Sequence, residues 1–435
     1  MGKKRKAADK KPLAGVNNPE ELALDYHSYY KGKIEIGLKV PIQSYDDFAI
    51  WYTPGVAKPS LEIKKRRARV FDYTNKGNFV VIVSDGTRVL GLGDVGAEAA
   101  LPVMEGKAIL FKYLGGVDAF PLCLATKDAE EIIKAVKWVA PTFGGVNLED
   151  IESPKCYYIL ERLRKELSIP VWHDDQQGTA LVILAGLINA LKVVGKRLNK
   201  VAISLIGAGA ANINVAKYLC IAGAKYENIV MVDSKGILNR DRIDVKGDRP
   251  KWEMCGKTNK ESKSGGIKEA MRDTDVCIAL STPGPNIIRK EWVADMADDA
   301  IVFACANPVP EIWPEEVKEG GARIVATGRS DFENQTNNSL GFPAVFRGVL
   351  DVCATSITDE MCIEAANAIA KYAEERGISE GYIIPSMEEK EMYVREAVAV
   401  GRKAMEQGVA GRSISKDELE EEVRTKIYKK VKKFL

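Results

Sequence analysis

The sequence predicts an α/β chain of two units in series, the second a doubly wound parallel sheet, closed by a helical C-terminus. Three patterns carry that expectation. Short apolar runs such as Phe79–Val83 and Val201–Ile206 alternate with longer segments of helical period. Many of those runs stop at glycine, asparagine or a pair of acids, residues that form loops at strand ends. From Thr358 onward helical periodicity dominates. With 435 residues the chain is long enough for two buried cores.

Residues 1–20 are expected to be a disordered basic N-terminus, with a helix opening at Asn18 and running to Tyr30. Lys33–Leu38 alternates enough to be a strand, and Trp51–Ala57 is a turn punctuated by Pro54 and Gly55. The buried strand Phe79–Val83 runs into Ser84–Gly96, whose glycines bring backbone close to another group and present Arg88 from a tight loop. Ala97–Tyr113 is a helix carrying Lys107 among apolar neighbours. Strand, helix, strand follow at Ala119–Leu124, Ala129–Val139 and Gly145–Leu148, then a helix at Pro154–Leu167 and a strand ending at Trp172. An acidic loop leads from there into the apolar helix Gly178–Leu191. Next come Val201–Ile206, the turn Gly207–Asn212, a helix to Ile221, and Ile229–Val232 ending in Asp233. Strands Val276–Leu280, Ile301–Ala304 and Arg323–Ala326 end in polar loops, which line the ligand side of an open parallel sheet. Helices Thr358–Arg376, Glu388–Gln407 and one from Lys416 pack back on the first unit or on a second subunit. The division is 21–175 for the first unit, 176–410 for the second and 411–435 for a last charged helix.

The net charge of +2 provides no field for nucleic acid. Basic runs at Gly2–Lys11, Lys64–Arg69 and Lys426–Lys433 read as solvated ends or helix faces. Eight cysteines without a Cys-x-x-Cys pair indicate a reducing cytoplasm. No secretory apolar region and no membrane-spanning window are seen. Two histidines, His27 and His173, argue against a zinc site or a Ser-His-Asp hydrolase.

The residues that can do chemistry cluster at strand ends. Asp174 and Asp175 follow one apolar run, Glu149 and Asp150 another. Oxygen ligands from two strand ends can close on one divalent ion, with Mg²⁺ or Mn²⁺ favoured because no His or Cys cluster accompanies them. The alternative is that the acids only cap and turn the chain. Lys107 is either a desolvated general base with a lowered pKa or a surface lysine whose stem covers apolar ground. Arg88 either grips a substrate carboxylate or pairs with a neighbouring acid. Tyr52, beside a rigid turn, is a packing, interface or catalytic residue. Gly207 makes a tight turn, Gly209 lets backbone reach a pyrophosphate, and the helix opening at Ala210 and Ala211 favours the anion. Asp233 suits a ribose, which favours NAD, while Ser234 and Lys235 suit a 2′-phosphate, which favours NADP. Asn212 occupies the third small position of that fingerprint.

Together these motifs resemble the malic enzyme family, in its short prokaryotic branch. The resemblance runs from Leu22 to Ala410 and rests on YTPGVA (Tyr52–Ala57), DGTRVLGLGD (Asp85–Asp94), EGKAILFK (Glu105–Lys112), HDDQQGTA (His173–Ala180), GAGAAN (Gly207–Asn212) and ANPVPEI (Ala306–Ile312). It implies metal-dependent oxidation and decarboxylation of (S)-malate to pyruvate and CO₂ with reduction of NAD or NADP, in a homodimer or dimer of dimers. Glu149, Asp150 and Asp175 would then hold the metal, and Lys107 would take the hydroxyl proton. Tyr52 would protonate C3 of the product enol, and Asp174 would tune the lysine or orient the metal ligands. Arg88, Asn307 and Asn338 would bind malate. Gly207, Gly209, Ala210, Ala211, Asp233, Ser234, Lys235 and Asn286 would form the coenzyme site. Asn212 departs from the family's glycine or alanine, which puts close helix packing there in question. A metal-free amino-acid dehydrogenase and a non-catalytic dinucleotide sensor are the rival readings; the two acid pairs speak against the first, and Tyr52, Lys107 and Arg88 together against the second.

Overall fold

The structure is a computed structural model that describes residues 19–89 and 91–429. Its strands form two sheets. The first is parallel, in the order β2-β1-β3-β4, from β1 (Phe79–Ser84), β2 (Asp118–Cys123), β3 (Gly145–Leu148) and β4 (Val171–His173). The second has the order β10-β9-β8-β5-β6-β7, from β5 (Ile203–Ile206), β6 (Ile229–Asp233), β7 (Gly236–Ile237), β8 (Val276–Ala279), β9 (Ile301–Ala304) and β10 (Ile324–Thr327). Only its edge strand β7 is antiparallel. This is the α/β architecture expected from the sequence.

The strands read as unbroken apolar runs because both faces are covered by helices. In β1 successive side chains alternate between two cores. Val80 and Ile82 face the core shared with the Ala97–Gly115 and Thr179–Val193 helices, while Val81 and Val83 face Ile132, Val136 and Ile159. Helix starts are marked by side chains that accept free backbone N–H groups. Asp128 accepts from Glu131 N at 2.9 Å, and Thr358 and Ser415 cap the helices Asp359–Arg376 and Lys416–Ile427. The apolar stretch Asp174–Val193 passes the length and composition test for a membrane span, but 78% of that window is buried inside the fold, as in a core helix.

The C-terminal helices return to the first sheet. The Phe342–Asp351 helix packs on Ala97–Gly115, with the Phe111 and Phe342 ring centroids 4.6 Å apart. Arg347, fully buried, donates from Nε to Asp351 at 2.9 Å and from Nη1 to Asn78 at 2.5 Å, joining the C-terminal helices to the entrance of β1. The Phe342–Asp351 helix is absent from the sequence reading, and Pro343 lies within it. It sits in the helix's first turn, where no N–H is needed.

Two local expectations change. Lys33–Leu38 joins no sheet; it runs extended along the Ala97–Gly115 helix, with Lys33 N donating to Glu105 Oε2 (3.0 Å) and its Nζ to the Pro102 carbonyl (2.7 Å). Alternation made it look like a strand, but no strand edge adjoins it. The acidic run after β4 is a π-helical turn, Asp174–Gly178, continuous with the Thr179–Val193 helix, not a loop. The N-terminal residues 1–18 and the end of the basic tail lie outside the described residues.

Candidate active site

Glu149 and Asp174 follow β3 and β4 directly, so the parallel register of the two strands brings both acids to one edge. Lys107 reaches them from the middle of the Ala97–Gly115 helix. Its Nζ donates to Glu149 Oε1 at 3.0 Å and to Asp174 Oδ2, and lies 4.2 Å from the centre of the Phe342 ring. Each acid is held on its other side by a residue two places earlier on its own strand. Asn147 Nδ2 donates to Glu149 Oε2 (2.8 Å), and Trp172 Nε1 donates to Asp174 Oδ1 (2.9 Å). Spacing by two on a strand puts donor and acid on the same face.

Lys107 is buried, so the snorkelling alternative does not hold. The direction of its pKa also differs from the sequence expectation. Burial works to lower it, but the charges and hydrogen bonds of Asp174 and Glu149 outweigh burial and raise the ammonium above the ordinary lysine value. Burial pushes Glu149 well above the ordinary glutamate range; Lys107 opposes this, and Asp174, Asp175 and Asp150 add to it. Asp175 is raised as well, by burial against the pull of Lys107, the Asp150 amide and Arg88.

Asp150 adopts a left-handed backbone (φ 54°), which turns its amide onto Asp175 Oδ2 at 3.0 Å. Glu149, Asp150 and Asp175 each offer a carboxylate oxygen within 4.8 Å of the others. Four carboxylates therefore face one ammonium, and crowding already disfavours ionisation of Glu149. Such an oxygen-only, electron-rich donor set fits a hard divalent cation.

The Arg88 loop is fastened beside these acids. Arg88 N donates to the Asp150 carbonyl (3.0 Å), Glu152 N to Thr87 Oγ1 (3.0 Å), and Lys155 Nζ pairs with buried Asp85 (2.7 Å). The Arg88 side chain is exposed, and its guanidinium makes no hydrogen bond to another side chain among the described residues. Gly91 carries the loop against the second unit: a Cβ there would stand 3.0 Å from the Asn307 carbonyl oxygen and 3.3 Å from Pro283. Asn338 approaches from the other side, its Cβ and the Asp174 carboxylate both close to Gly178. Lys107, Glu149, Asp150, Asp174 and Asp175 thus gather beyond the ends of β3 and β4, with the Arg88 loop next to Asn307 and with Asn338 next to Gly178.

The turn after β5 is shaped by backbone. Gly207 has φ 96°, and a Cβ on it would meet the Leu280 carbonyl at 2.5 Å, whereas nothing lies within 4 Å of one on Gly209. That leaves an open approach to the helix N-terminus at Ala210 and Ala211. Asn212 does not spoil the packing. It is fully buried, and its Nδ2 donates to the carbonyls of Ile206 and Gly207, both at 2.8 Å, so it staples the turn that glycine would only permit. Asp233 ends β6 and accepts from Arg242 Nη2 (2.9 Å) and Lys235 N (2.9 Å); those bonds outweigh burial and lower its pKa. Ser234 and Lys235 follow at the surface, with Lys235 Nζ on Asp244 (3.2 Å). Asn286 lies exposed in the loop after β8, in a left-handed conformation (φ 73°). Sequence reasoning missed Arg242, Asn147, Trp172 and Glu311. Buried Glu311 accepts from Ser281 N (2.8 Å) and Ala306 N (3.0 Å), tying together the loops after β8 and β9. The two strand residues were findable from their spacing; Arg242 carried no local signal.

Tyr52 is the candidate with the least packing around it. It caps the short helix Asp47–Trp51, is 69% exposed, and its hydroxyl bonds to none of the described residues.

Two family descriptions match the chain. The family description "Malic enzyme, N-terminal domain" matches residues 31–164, and "Malic enzyme, NAD binding domain" matches residues 176–405. A bifunctional malic/malolactic enzyme of Bacillus subtilis is 49% identical over 404 residues, covering 93% of this chain and 97% of its own. An NAD-dependent malic enzyme of Geobacillus stearothermophilus is 50% identical over 380 residues, 87% of this chain and 78% of its own. Among solved structures, the malic enzyme of Pyrococcus horikoshii superposes with a TM-score of 0.89 at 51% identity, over 94% of this chain and 95% of that one.

Proposed function

The chain belongs to the malic enzyme family, and on that premise we propose that it converts (S)-malate to pyruvate and CO₂ while reducing NAD or NADP, with Mg²⁺ or Mn²⁺ as the metal. The observation that carries this reading is the buried Lys107 ammonium held between Glu149 and Asp174, next to the acid cluster of Glu149, Asp150 and Asp175.

Glu149, Asp150 and Asp175 are the ligands that would hold the divalent ion, which supplies Lewis-acid polarisation of the substrate's oxygens. The glycine turn at Gly207 and Gly209, Ala210, Ala211, Asp233, Ser234, Lys235 and Asn286 would hold the coenzyme, whose nicotinamide supplies the hydride acceptor. Arg88 is placed to grip a malate carboxylate through its exposed fork, with Asn307 and Asn338 flanking it. Lys107 takes the C2 hydroxyl proton. To do so it must first lose its own, against the pull of Asp174 and Glu149, which raise its pKa; Glu149 would also be one of the residues that hold the metal. Asp174 Oδ2 is the partner that aims Nζ and shares its proton. Tyr52 delivers a proton to C3 of the enol left after CO₂ departs. The catalytic unit is taken as 21–175, the coenzyme unit as 176–410 and the last charged helix as 411–435, in a cytoplasmic homodimer or dimer of dimers.

The test is reduced-coenzyme formation from (S)-malate with Mn²⁺, run with NAD and NADP in parallel and with pyruvate assayed. Metal-dependent reduction with stoichiometric pyruvate is expected. Oxaloacetate without pyruvate would mean a simple dehydrogenase, and turnover that survives a chelator would remove the metal from the reading.

A further inference from the structure

A groove of about 890 Å³ is lined by none of the residues proposed to hold malate, metal or coenzyme. One wall is the Lys155–Glu166 helix, beside the first sheet; the other is made by the Ala210–Ile221 and Arg249–Lys257 helices, beside the second. Gln176, from the π-helical turn Asp174–Gly178, also lines it and ties the walls together: its Oε1 accepts from Asn214 Nδ2 at 3.2 Å. A concavity of this volume is of the size that holds a small organic ligand.

Two enclosed donors of the lining have no acceptor. Gln176 is 2% exposed, and its Nε2 completes no hydrogen bond. Arg164 donates from Nε to the Val171 carbonyl (3.2 Å), while its Nη2 is enclosed and unpartnered. Enclosed donors are normally satisfied, and a guanidinium that meets no carboxylate calls for an anion. The rest of the lining has the same sign, with six basic side chains against three acidic ones. Lys155 and Lys217 pair with acids behind the walls, Asp85 (2.7 Å) and Asp359 (2.5 Å). Arg249 and Lys257 share the single carboxylate of Glu253, at 3.2 and 3.3 Å. Positive charge is therefore left over at Arg164 and at the Arg249–Lys257 rim. Alongside them Tyr157, Tyr158, Tyr226, Leu160, Ile213 and Met254 offer aromatic and apolar surface.

We propose that this groove is a binding site for an organic phosphate monoester with a planar ring. The phosphate neutralises Arg164 and accepts from Gln176 Nε2, and the ring lies against the tyrosines. The rim cations draw the dianion in. A ligand held in this way bridges the helices of both sheets through the turn that also carries Asp174 and Asp175.

The test is calorimetric titration of the full chain with phenyl phosphate, with NADH or NADPH, whichever binds, at saturation so that the glycine turn at Gly207 is filled. One site per chain is expected, with inorganic phosphate and phenol each weaker by about tenfold or more. Arg164→Gln should weaken phenyl phosphate by about tenfold or more. Because Arg164 also holds the Val171 carbonyl, Lys257→Ser at the exposed rim serves as a second variant. It should weaken binding by about threefold and reduce its salt dependence. Hydrogen exchange locates the ligand: amides of both 155–166 and 249–257 should slow when phenyl phosphate is added. Absence of binding, binding abolished by the coenzyme, or protection confined to residues around Gly207 overturns the proposal. Equal affinity for inorganic phosphate overturns the ring's part in it, and a folded Arg164→Gln chain that binds as tightly as wild type overturns the phosphate's.

Discussion

The carboxyl edge of the first sheet meets its ligands with buried charged side chains, whereas that of the second meets them with backbone. At the first edge, Lys107, Glu149 and Asp174 are enclosed and hydrogen-bonded to one another, with Asp150 and Asp175 beside them. At the second, a glycine in a left-handed turn and an open helix N-terminus do the corresponding work. The difference matches what each edge must handle. Proton transfer and metal binding need groups whose charge is set by their surroundings. A pyrophosphate needs close approach and a row of N–H donors. Substitutions at the first edge should therefore strike turnover, and those at the second coenzyme affinity.

The largest effect is expected at Lys107. Lys107→Ala should lower kcat by about 10²–10⁴-fold, the usual contribution of a positioned base, while NADH binding followed by fluorescence stays unchanged; equal losses in both would erase the contrast between the edges. Next comes Asn147→Ala, which removes the amide donor from Glu149 Oε2 and leaves Lys107 on Oε1. Mn²⁺ affinity should fall roughly 10–100-fold, as for other residues that orient a metal ligand, and a titration showing wild-type affinity would mean Glu149 needs no such support. Gly207→Ala places a Cβ 2.5 Å from the Leu280 carbonyl at φ 96°. A strain of about 1–3 kcal/mol should appear as a coenzyme KM raised by about tenfold or more, with the malate KM unmoved.

The smallest effect on activity is expected far from both edges. Glu396 is fully buried in the Lys390–Glu406 helix, no hydrogen bond reaches its carboxyl oxygens, and burial raises its pKa well above the ordinary value. The folded chain keeps that proton while the unfolded chain ionises above about pH 4.3. Stability is thus greatest below that pH and is lost as pH rises towards the folded pKa. Glu396→Gln should leave turnover intact, flatten that slope, and stabilise the protein at pH 8 by about 1–3 kcal/mol. Denaturant melts of both proteins at pH 5 and pH 8 check this, and parallel slopes would show that Glu396 is not the source.

Much of the frame was legible along the chain. The strand ends at Leu148 and Trp172, the helix carrying Lys107 and the glycine turn at Gly207 are short-range patterns of period and turn chemistry, so sequence reasoning places them within a residue or two. Lys33–Leu38 failed because alternation describes a strand's side chains but not whether an edge is there to pair with. The Phe342–Asp351 helix was not among the expected helices, and Pro343 stands in its first turn, where proline is tolerated.

By itself the sequence determined which groups are present and where the chain turns: four acids at two strand ends, one lysine in an apolar helix, a phosphate turn, and a tyrosine beside Pro54. The tertiary structure alone decided what those groups do to one another. Lys107 has a raised pKa because acids 42 and 67 residues away sit on its ammonium. Asp233 is claimed by Arg242, and Tyr52 stands exposed at the end of the Asp47–Trp51 helix. Period and turn propensity act between neighbours in sequence, whereas charge, burial and catalytic reach are set by distance in space, which only the folded chain fixes.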